Sequence, residues 1–186
     1  MTVVDAVRQT ARSRSWLNSM AYILTKDRPK NSYEEWQAGW AAYCAHLDSV
    51  KNRLPRAAYE FATAPWHYNF EDHRSPHDGW LEEVVISEPA SGERREIRSL
   101  EIVARLLASY HDGRIELKYS GVHSYSLASG ITDGAGHGDW LYDEIRLSER
   151  GRALHEIEWS GGGLWLIECD DVAYRWAPFD SAGAVV

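Results

Sequence analysis

The sequence has few cysteines and no long apolar run. Its only two cysteines, Cys44 and Cys169, form no Cys-x-x-Cys motif, which argues against a disulfide framework and against a cysteine-rich zinc site. No apolar stretch approaches the ~20 residues that a membrane-spanning helix needs. The first residues carry Arg8, Arg12 and Arg14 without the continuous apolar segment of a signal peptide. These features predict a cytoplasmic protein that does not associate with a membrane.

Basic residues are also scarce, above all after residue 66. The chain has 20 Lys and Arg against 28 Asp and Glu, which gives a net charge of −8. Residues 1–66 carry nine basic and six acidic residues, whereas residues 67–186 carry eleven and twenty-two. Because carboxylates repel phosphate groups, we expect neither nucleic acid nor an anionic membrane as the ligand. The acidic part would attract a basic partner, unless its charges serve only solubility.

Aromatic residues with a polar tip are abundant. Nine Trp and ten Tyr stand against three Phe, a composition that suits half-buried sheet faces and interfaces. A chain of 186 residues is long enough for one domain with a substantial core. We therefore expect a single domain over residues 1–186, in which a helical part at 1–64 packs on an antiparallel β part at 65–178, followed by a frayed tail at 179–186.

The first third of the chain has a helical pattern. Asn31 and Ser32 precede two glutamates, as in a helix N-cap followed by an acidic first turn. Apolar residues then recur at steps of three and four from Trp36 to Leu54, and Pro55 ends the pattern. A weaker pattern in residues 3–24 indicates one or two further helices.

From about residue 65 the apolar residues alternate, as they do in β-strands. Turn-forming clusters at 88–93, 148–151, 160–163 and 170–171 separate these strands, and no helix alternates with them. The sequence therefore predicts an α+β fold, with two or three N-terminal helices followed by a mainly antiparallel sheet, a meander of about seven strands.

His-Asp-Gly occurs twice, at 77–79 and 111–113, and the permuted His-Gly-Asp occurs at 137–139. Each copy directly precedes a predicted strand. If these strand starts line one edge of a sheet, imidazoles and carboxylates could converge there into a metal or proton-transfer site. Alternatively, the copies are tight turns, because Asp-Gly favours two-residue hairpin loops. The turn explains 111–113 well, but 77–79 less well because no strand precedes it.

The segment from residue 66 to residue 78 concentrates the chemistry of a possible metal site. It holds three histidines and three carboxylates between Pro65 and the strand that begins at Trp80. Zinc and related ions bind such side chains when they converge from several loops. This alternative predicts a metal-dependent hydrolase around residues 72–78, with a divalent metal such as zinc as cofactor and with Asp72 or Asp139 as the base or the orienting group. The candidate ligands are His73, His77, Asp78, His111 and His137.

The sequence His155-Glu156-Ile157-Glu158 is different, since it lacks the second histidine of a zinc-protease motif. Strand alternation puts His155 on one face and the two glutamates on the other. We therefore predict a structural role for His155.

The first predicted strand and the hairpin after it resemble a known family. The residues that carry the resemblance are Pro76-His77-Asp78-Gly79-Trp80-Leu81-Glu82-Glu83-Val84-Val85-Ile86, the hairpin from Tyr110 to Tyr119, and Val122. They resemble the start of small bacterial β-rich domains, some of which are immunity proteins of polymorphic toxin systems. Those domains often have an aromatic residue before His-Asp, where this chain has Pro76. The resemblance implies a toxin-binding protein without catalysis.

The function favoured by these patterns is non-enzymatic protein binding through an acidic and aromatic-rich surface and without a cofactor, and the family resemblance implies that this binding is immunity-like. Such a surface would show exposed Trp or Tyr side chains surrounded by Asp and Glu. A third hypothesis is a small-ligand site in the mouth of a closed sheet lined by tryptophans. The oligomeric state is not predicted. The candidate contact residues are Trp80, Asp78, Trp140, Asp143 and Glu144.

Overall fold

A computed structural model of the chain describes residues 21–25, 32–130 and 136–180. This part contains two helices, α1 (Tyr33–Val50) and α2 (Arg56–Ala62). Its strands are β1 (Trp80–Ser87), β2 (Ala90–Ser91), β3 (Ile97–Arg98), β4 (Glu101–Leu107), β5 (Gly113–Leu127), β6 (Trp140–Leu147), β7 (Ala153–Trp159) and β8 (Leu164–Pro178). The predicted α+β class is confirmed, although strands dominate. Neither of the two described helices combines the length and the apolarity that crossing a membrane requires.

Six strands form one antiparallel sheet in the order β1-β4-β5-β8-β7-β6, and β2 pairs only with β3. The predicted meander is correct for β6, β7 and β8 but wrong for the sheet as a whole, because β5 pairs with β8 along its length. Both are fifteen residues long. The first half of β5 also pairs with β4, and the first half of β8 pairs with β7. These two strands therefore join the two halves of the sheet.

Two apparent turn signals lie inside the long strands. Gly121 has a φ of 57° next to a β-bulge in β5, and a side chain there would collide with Asp170. The predicted turn at Asp170-Asp171 is wrong, because β8 continues through it. Asp171 instead accepts hydrogen bonds from the backbone N–H groups of Ala57 (3.3 Å) and Ala58 (2.9 Å), at the start of α2. Asp171 thus holds the start of α2 on the sheet.

The outer strands of the sheet meet at their first residues. The N–H of Asp78 donates to the carbonyl of Trp140 at 2.9 Å, and the N–H of Trp140 donates to the carbonyl of Gly79 at 3.0 Å. A single bridge between Trp80 and Asp139 completes this contact. The sheet is therefore curled until β1 and β6 touch.

The free edge of β6 is covered by tyrosine hydroxyls. The hydroxyl of Tyr43, from α1, accepts the N–H of Ile145 at 2.8 Å and approaches the carbonyl of the same residue at 3.2 Å. The hydroxyl of Tyr68 donates to the carbonyl of Asp143. These contacts satisfy backbone groups that would otherwise be available to another strand.

The core lies between the helices and one face of the sheet. Ser32 caps α1 through a reciprocal pair of hydrogen bonds with Glu35, as the acidic first turn predicts. The buried stripe of α1 packs, together with α2, against the sheet. In the upstream segment predicted as helical, residues 22–24 form a bend, and residues 1–20 lie outside the described part. Of the predicted tail, residues 181–186 also lie outside it, and the N–H of Phe179 donates to Asp112.

Candidate functional site

A chain of buried polar side chains crosses the core below α2. The carboxylate of Asp143 accepts from Nε2 of His67 at 2.9 Å, from Nε2 of His155 at 3.0 Å and from the indole of Trp140 at 3.1 Å. Nδ1 of His155 is 2.9 Å from the hydroxyl of Tyr119. Asp143 and both histidines are almost completely shielded from solvent, so this network is structural.

The ring of His67 is held between α2 and β6. Its Nδ1 faces the carbonyl of Phe61 at 3.1 Å, while its Nε2 faces the Asp143 carboxylate. Burial opposes ionisation of Asp143, but the two histidines hold its pKa well below the usual value. Burial lowers the pKa of His155.

Glu144, next in β6, faces away from Asp143 into a second buried cluster. Its carboxylate accepts from the N–H groups of residues 22–24, at 2.7 Å for Tyr22 and 3.2 Å for Leu24. Arg146 lies 3.9 Å from Glu144 and binds Glu156 directly. Burial raises the pKa of Glu144, and it raises that of Glu156 to about 7 despite the arginine. The Arg146 guanidinium thus lies close to two buried carboxylates, those of Glu144 and Glu156.

Three of the predicted contact residues are therefore wrong as members of an exposed surface. Trp140, Asp143 and Glu144 are all buried. The closure of the sheet puts the start of β6 inside the fold, and Asp143 and Glu144 each satisfy internal donors. The alternation of apolar residues within a single strand does not predict that β1 and β6 will meet.

The three histidine-containing segments nevertheless lie together. Trp80 pairs with Leu107 at the end of β4, its ring is 4.7 Å from that of His111, and it bridges to Asp139. The starts of β1, β5 and β6 therefore surround one region. We call this region the rim surface and define it as the solvent-accessible side chains of residues 66–80, 108–113 and 136–139.

Three aromatic side chains are exposed on the rim surface, each beside a histidine. They are Phe70, Trp80 and Tyr110, which are 39%, 50% and 49% exposed. His77 stacks on Phe70 at 3.8 Å and His73 stacks on Tyr110 at 4.0 Å. The histidines restrict the motion of rings that remain open to solvent on their other side.

Carboxylates lie among these rings. Asp112 is 2.5 Å from Nδ1 of His73, and Asp78 is 3.6 Å from Nε2 of His77. Asp72 is bonded by Arg74 at 2.7 Å, and this hydrogen bond lowers the pKa of Asp72 to about 2. Within the described part, neither Asp78 nor Asp112 forms an ion pair with Lys or Arg. The rim surface is therefore acidic as well as aromatic.

The proposed metal ligands reach this region without converging on one point. Nδ1 of His77 lies 2.6 Å from the carbonyl of Leu141, and the ring of His137 lies 5.2 Å from Trp159 and from Trp165. Burial lowers the pKa of His137. Across residues 21–25, 32–130 and 136–180, no three His, Cys, Asp or Glu side chains are grouped to hold a metal ion.

The turn at 111–113 differs in detail from the predicted two-residue hairpin. The N–H of Ala108 donates to the carbonyl of Gly113 at 3.0 Å, which leaves a four-residue loop, and His111 rather than Asp112 or Gly113 has a positive φ. Gly113 is needed for space, since a Cβ there would lie 2.8 Å from the Trp176 indole. Tyr110 and His111 lie within this four-residue loop and form part of the rim surface.

The chain matches no family model, no curated protein and no solved structure. Function must therefore be inferred from side chains. Sequence reasoning identified Trp80 and Asp78 on the rim surface but did not single out Phe70 or Tyr110. Phe70 directly precedes Glu71-Asp72, and Tyr110 directly precedes His111. Their positions in the two histidine-containing loops are the sequence signal that could have identified them.

Proposed function

We propose that this protein is a non-enzymatic binding module whose rim surface contacts a basic segment of a partner protein. The observation that carries this proposal is the set of exposed rings at Phe70, Trp80 and Tyr110, beside Asp78 and Asp112, which contact histidines but form no ion pair with Lys or Arg within the described part. An exposed aromatic group surrounded by carboxylates is the arrangement expected of such a module.

The two kinds of side chain would have separate roles. Aromatic rings that already rest against histidines lose little conformational freedom on binding, so they suit the role of anchors. The carboxylates would attract a basic partner and orient it before contact. The family resemblance implies a toxin as the partner, and the acidic balance of residues 67–186 suits a toxin with a basic surface. The unpaired thiols of Cys44 and Cys169 suit a cytoplasmic location.

The test is affinity purification of the tagged chain with matched variants. Trp80→Ala and Tyr110→Ala each remove one ring from the rim surface. Tyr125→Ala is the control, since Tyr125 is 46% exposed at the far end of β5. We expect the unchanged chain and Tyr125→Ala to retain a stoichiometric protein, and each rim variant to weaken its binding at least about tenfold.

Circular dichroism and urea unfolding would confirm that all variants fold alike. Equal retention by all four chains, or no stoichiometric protein on any of them, would contradict the proposal.

A further inference from the structure

The outer edge of β1 is open after its first residues. In the β4–β5 ladder the N–H of Ala108 bonds Gly113, so the even-numbered residues of β4 bond β5 and the odd-numbered ones bond β1. Val85 faces Val103 and therefore bonds β4. The N–H and C=O groups of Val84 and Ile86 consequently point away from the sheet.

No other described segment pairs with these outward groups. The contact with β6 involves only Asp78, Gly79 and Trp80, at the start of the strand. The side chains of Val85 and Ile86 are exposed. The two edges of the sheet thus differ, because tyrosine hydroxyls cover the backbone of β6, whereas no such group from residues 21–25, 32–130 or 136–180 covers β1.

β1 also lacks the usual protection of an edge strand against pairing. Its acids are already balanced within the chain, since Arg114 bonds Glu82 at 2.7 Å and Arg105 bonds Glu83. It contains no proline, and its only bulge precedes Val84. The run Val84-Val85-Ile86 is β-branched throughout, which favours an extended strand.

We propose that two copies of this chain pair antiparallel through their β1 edges, centred on Val85. In that register Val84 of each copy faces Ile86 of the other, and each such pair exchanges two backbone hydrogen bonds. Glu83 then faces Ser87 rather than another carboxylate. Glu82, which Arg114 already bonds, faces Glu88. The strand therefore matches a second copy of itself in its backbone hydrogen bonds and in its β-branched centre. The proposal does not depend on the proposed partner of the rim surface.

Analytical ultracentrifugation of the full chain tests this pairing. We expect a reversible dimer with a Kd on the order of tens of micromolar, as suits a small interface. Val85→Lys places two like charges at the centre and should raise Kd at least about tenfold. Ile97→Lys adds the same charge at another exposed apolar position, on β3, and should leave Kd unchanged.

Amide hydrogen exchange on the unchanged chain gives a second test that needs no variant. The amides of Val84 and Ile86 should exchange rapidly in dilute solution and slowly at high concentration, whereas that of Val85 should be protected in both. A monomer up to about 1 mM, or a dimer that Val85→Lys does not weaken, would overturn the proposal. So would protection of Val84 and Ile86 in the monomer, which would mean that the chain covers its own edge.

Discussion

His155 and Glu156 are neighbours in β7 whose buried side chains occupy opposite faces of the sheet. The sequence predicted this from strand alternation alone, and the structure confirms it: His155 joins Asp143, and Glu156 joins Arg146. What alternation could not predict is that both faces are buried at this point. That depends on residues 22–24 and on the helices, which are distant in sequence.

Glu156 should make stability depend on pH. Its pKa rises from 4.5 to about 7 on folding, so its favourable contribution is complete below pH 4.5 and is lost as the pH rises through 7. We expect the unfolding free energy of Glu156→Gln, relative to that of the unchanged chain, to rise by about 2–3 kcal/mol between pH 4.5 and pH 8. Urea unfolding at several pH values measures this, and Glu149→Gln, in an exposed turn, is the control.

Asp143 should be among the most sensitive positions for stability. Asp143→Ala leaves His67, His155 and the Trp140 indole without their shared partner in the core. We expect a loss of about 3–5 kcal/mol in the free energy of unfolding. Asp48→Ala, on the exposed side of α1, should change it by less than about 0.5 kcal/mol. A loss at Asp143 no larger than at Asp48 would show that the network does not stabilise the fold.

At the scale of elements, the sequence predicted the helix with its N-cap and most of the strands, because hydrophobic periodicity is a local property. It did not predict that β5 pairs with β8, since alternation says which face a side chain occupies but not which strand lies beside it. The predicted turn at Asp170-Asp171 was wrong for a related reason. Asp171 accepts hydrogen bonds from N–H groups at the start of α2, and such helix-capping positions use the same residue types as turns.

The covered edge of β6 can be tested through one hydroxyl. Tyr43→Phe should leave the N–H of Ile145 without its partner and cost about 1–3 kcal/mol of unfolding free energy. Hydrogen exchange at Ile145 should accelerate as well. Tyr33→Phe is the matched control, because the Tyr33 hydroxyl bonds only Gln37 on an exposed surface. Equal effects of the two changes would mean that the edge is held by packing rather than by the hydroxyl.

On the scale of the whole molecule, the predicted and observed sites overlap only where the sheet closes. Trp80 and Asp78 are exposed as the sequence suggested, whereas Trp140 is drawn into the core by the same contact that positions them. Closure brings together three loops that are far apart in the sequence. The histidine repeats indicated which loops these are, but they could not show that exposed aromatic rings stack on the histidines there.

The net charge of −8 gives the two proposed interfaces opposite responses to salt. Raising NaCl from 0.05 to 0.5 M screens the repulsion between two copies of the chain, so dimerisation should strengthen severalfold. Binding of a basic partner to the rim surface should weaken over the same range. Sedimentation measures the first response and surface plasmon resonance the second. A dimer that weakens with salt would mean that ion pairs hold it, which the neutral β1 edge does not predict.

The position of β8 also has a consequence for biosynthesis. β8 is the last of the described strands to leave the ribosome, and it lies between β5 and β7 in the finished sheet. A nascent chain without it holds two unjoined hairpins, one from β4 and β5 and the other from β6 and β7. Neither can bring Trp80 to Asp139, because the strand that links them is missing. The rim surface therefore arises late and in one step, and a ribosome-bound chain shorter than about 178 residues should have no binding activity.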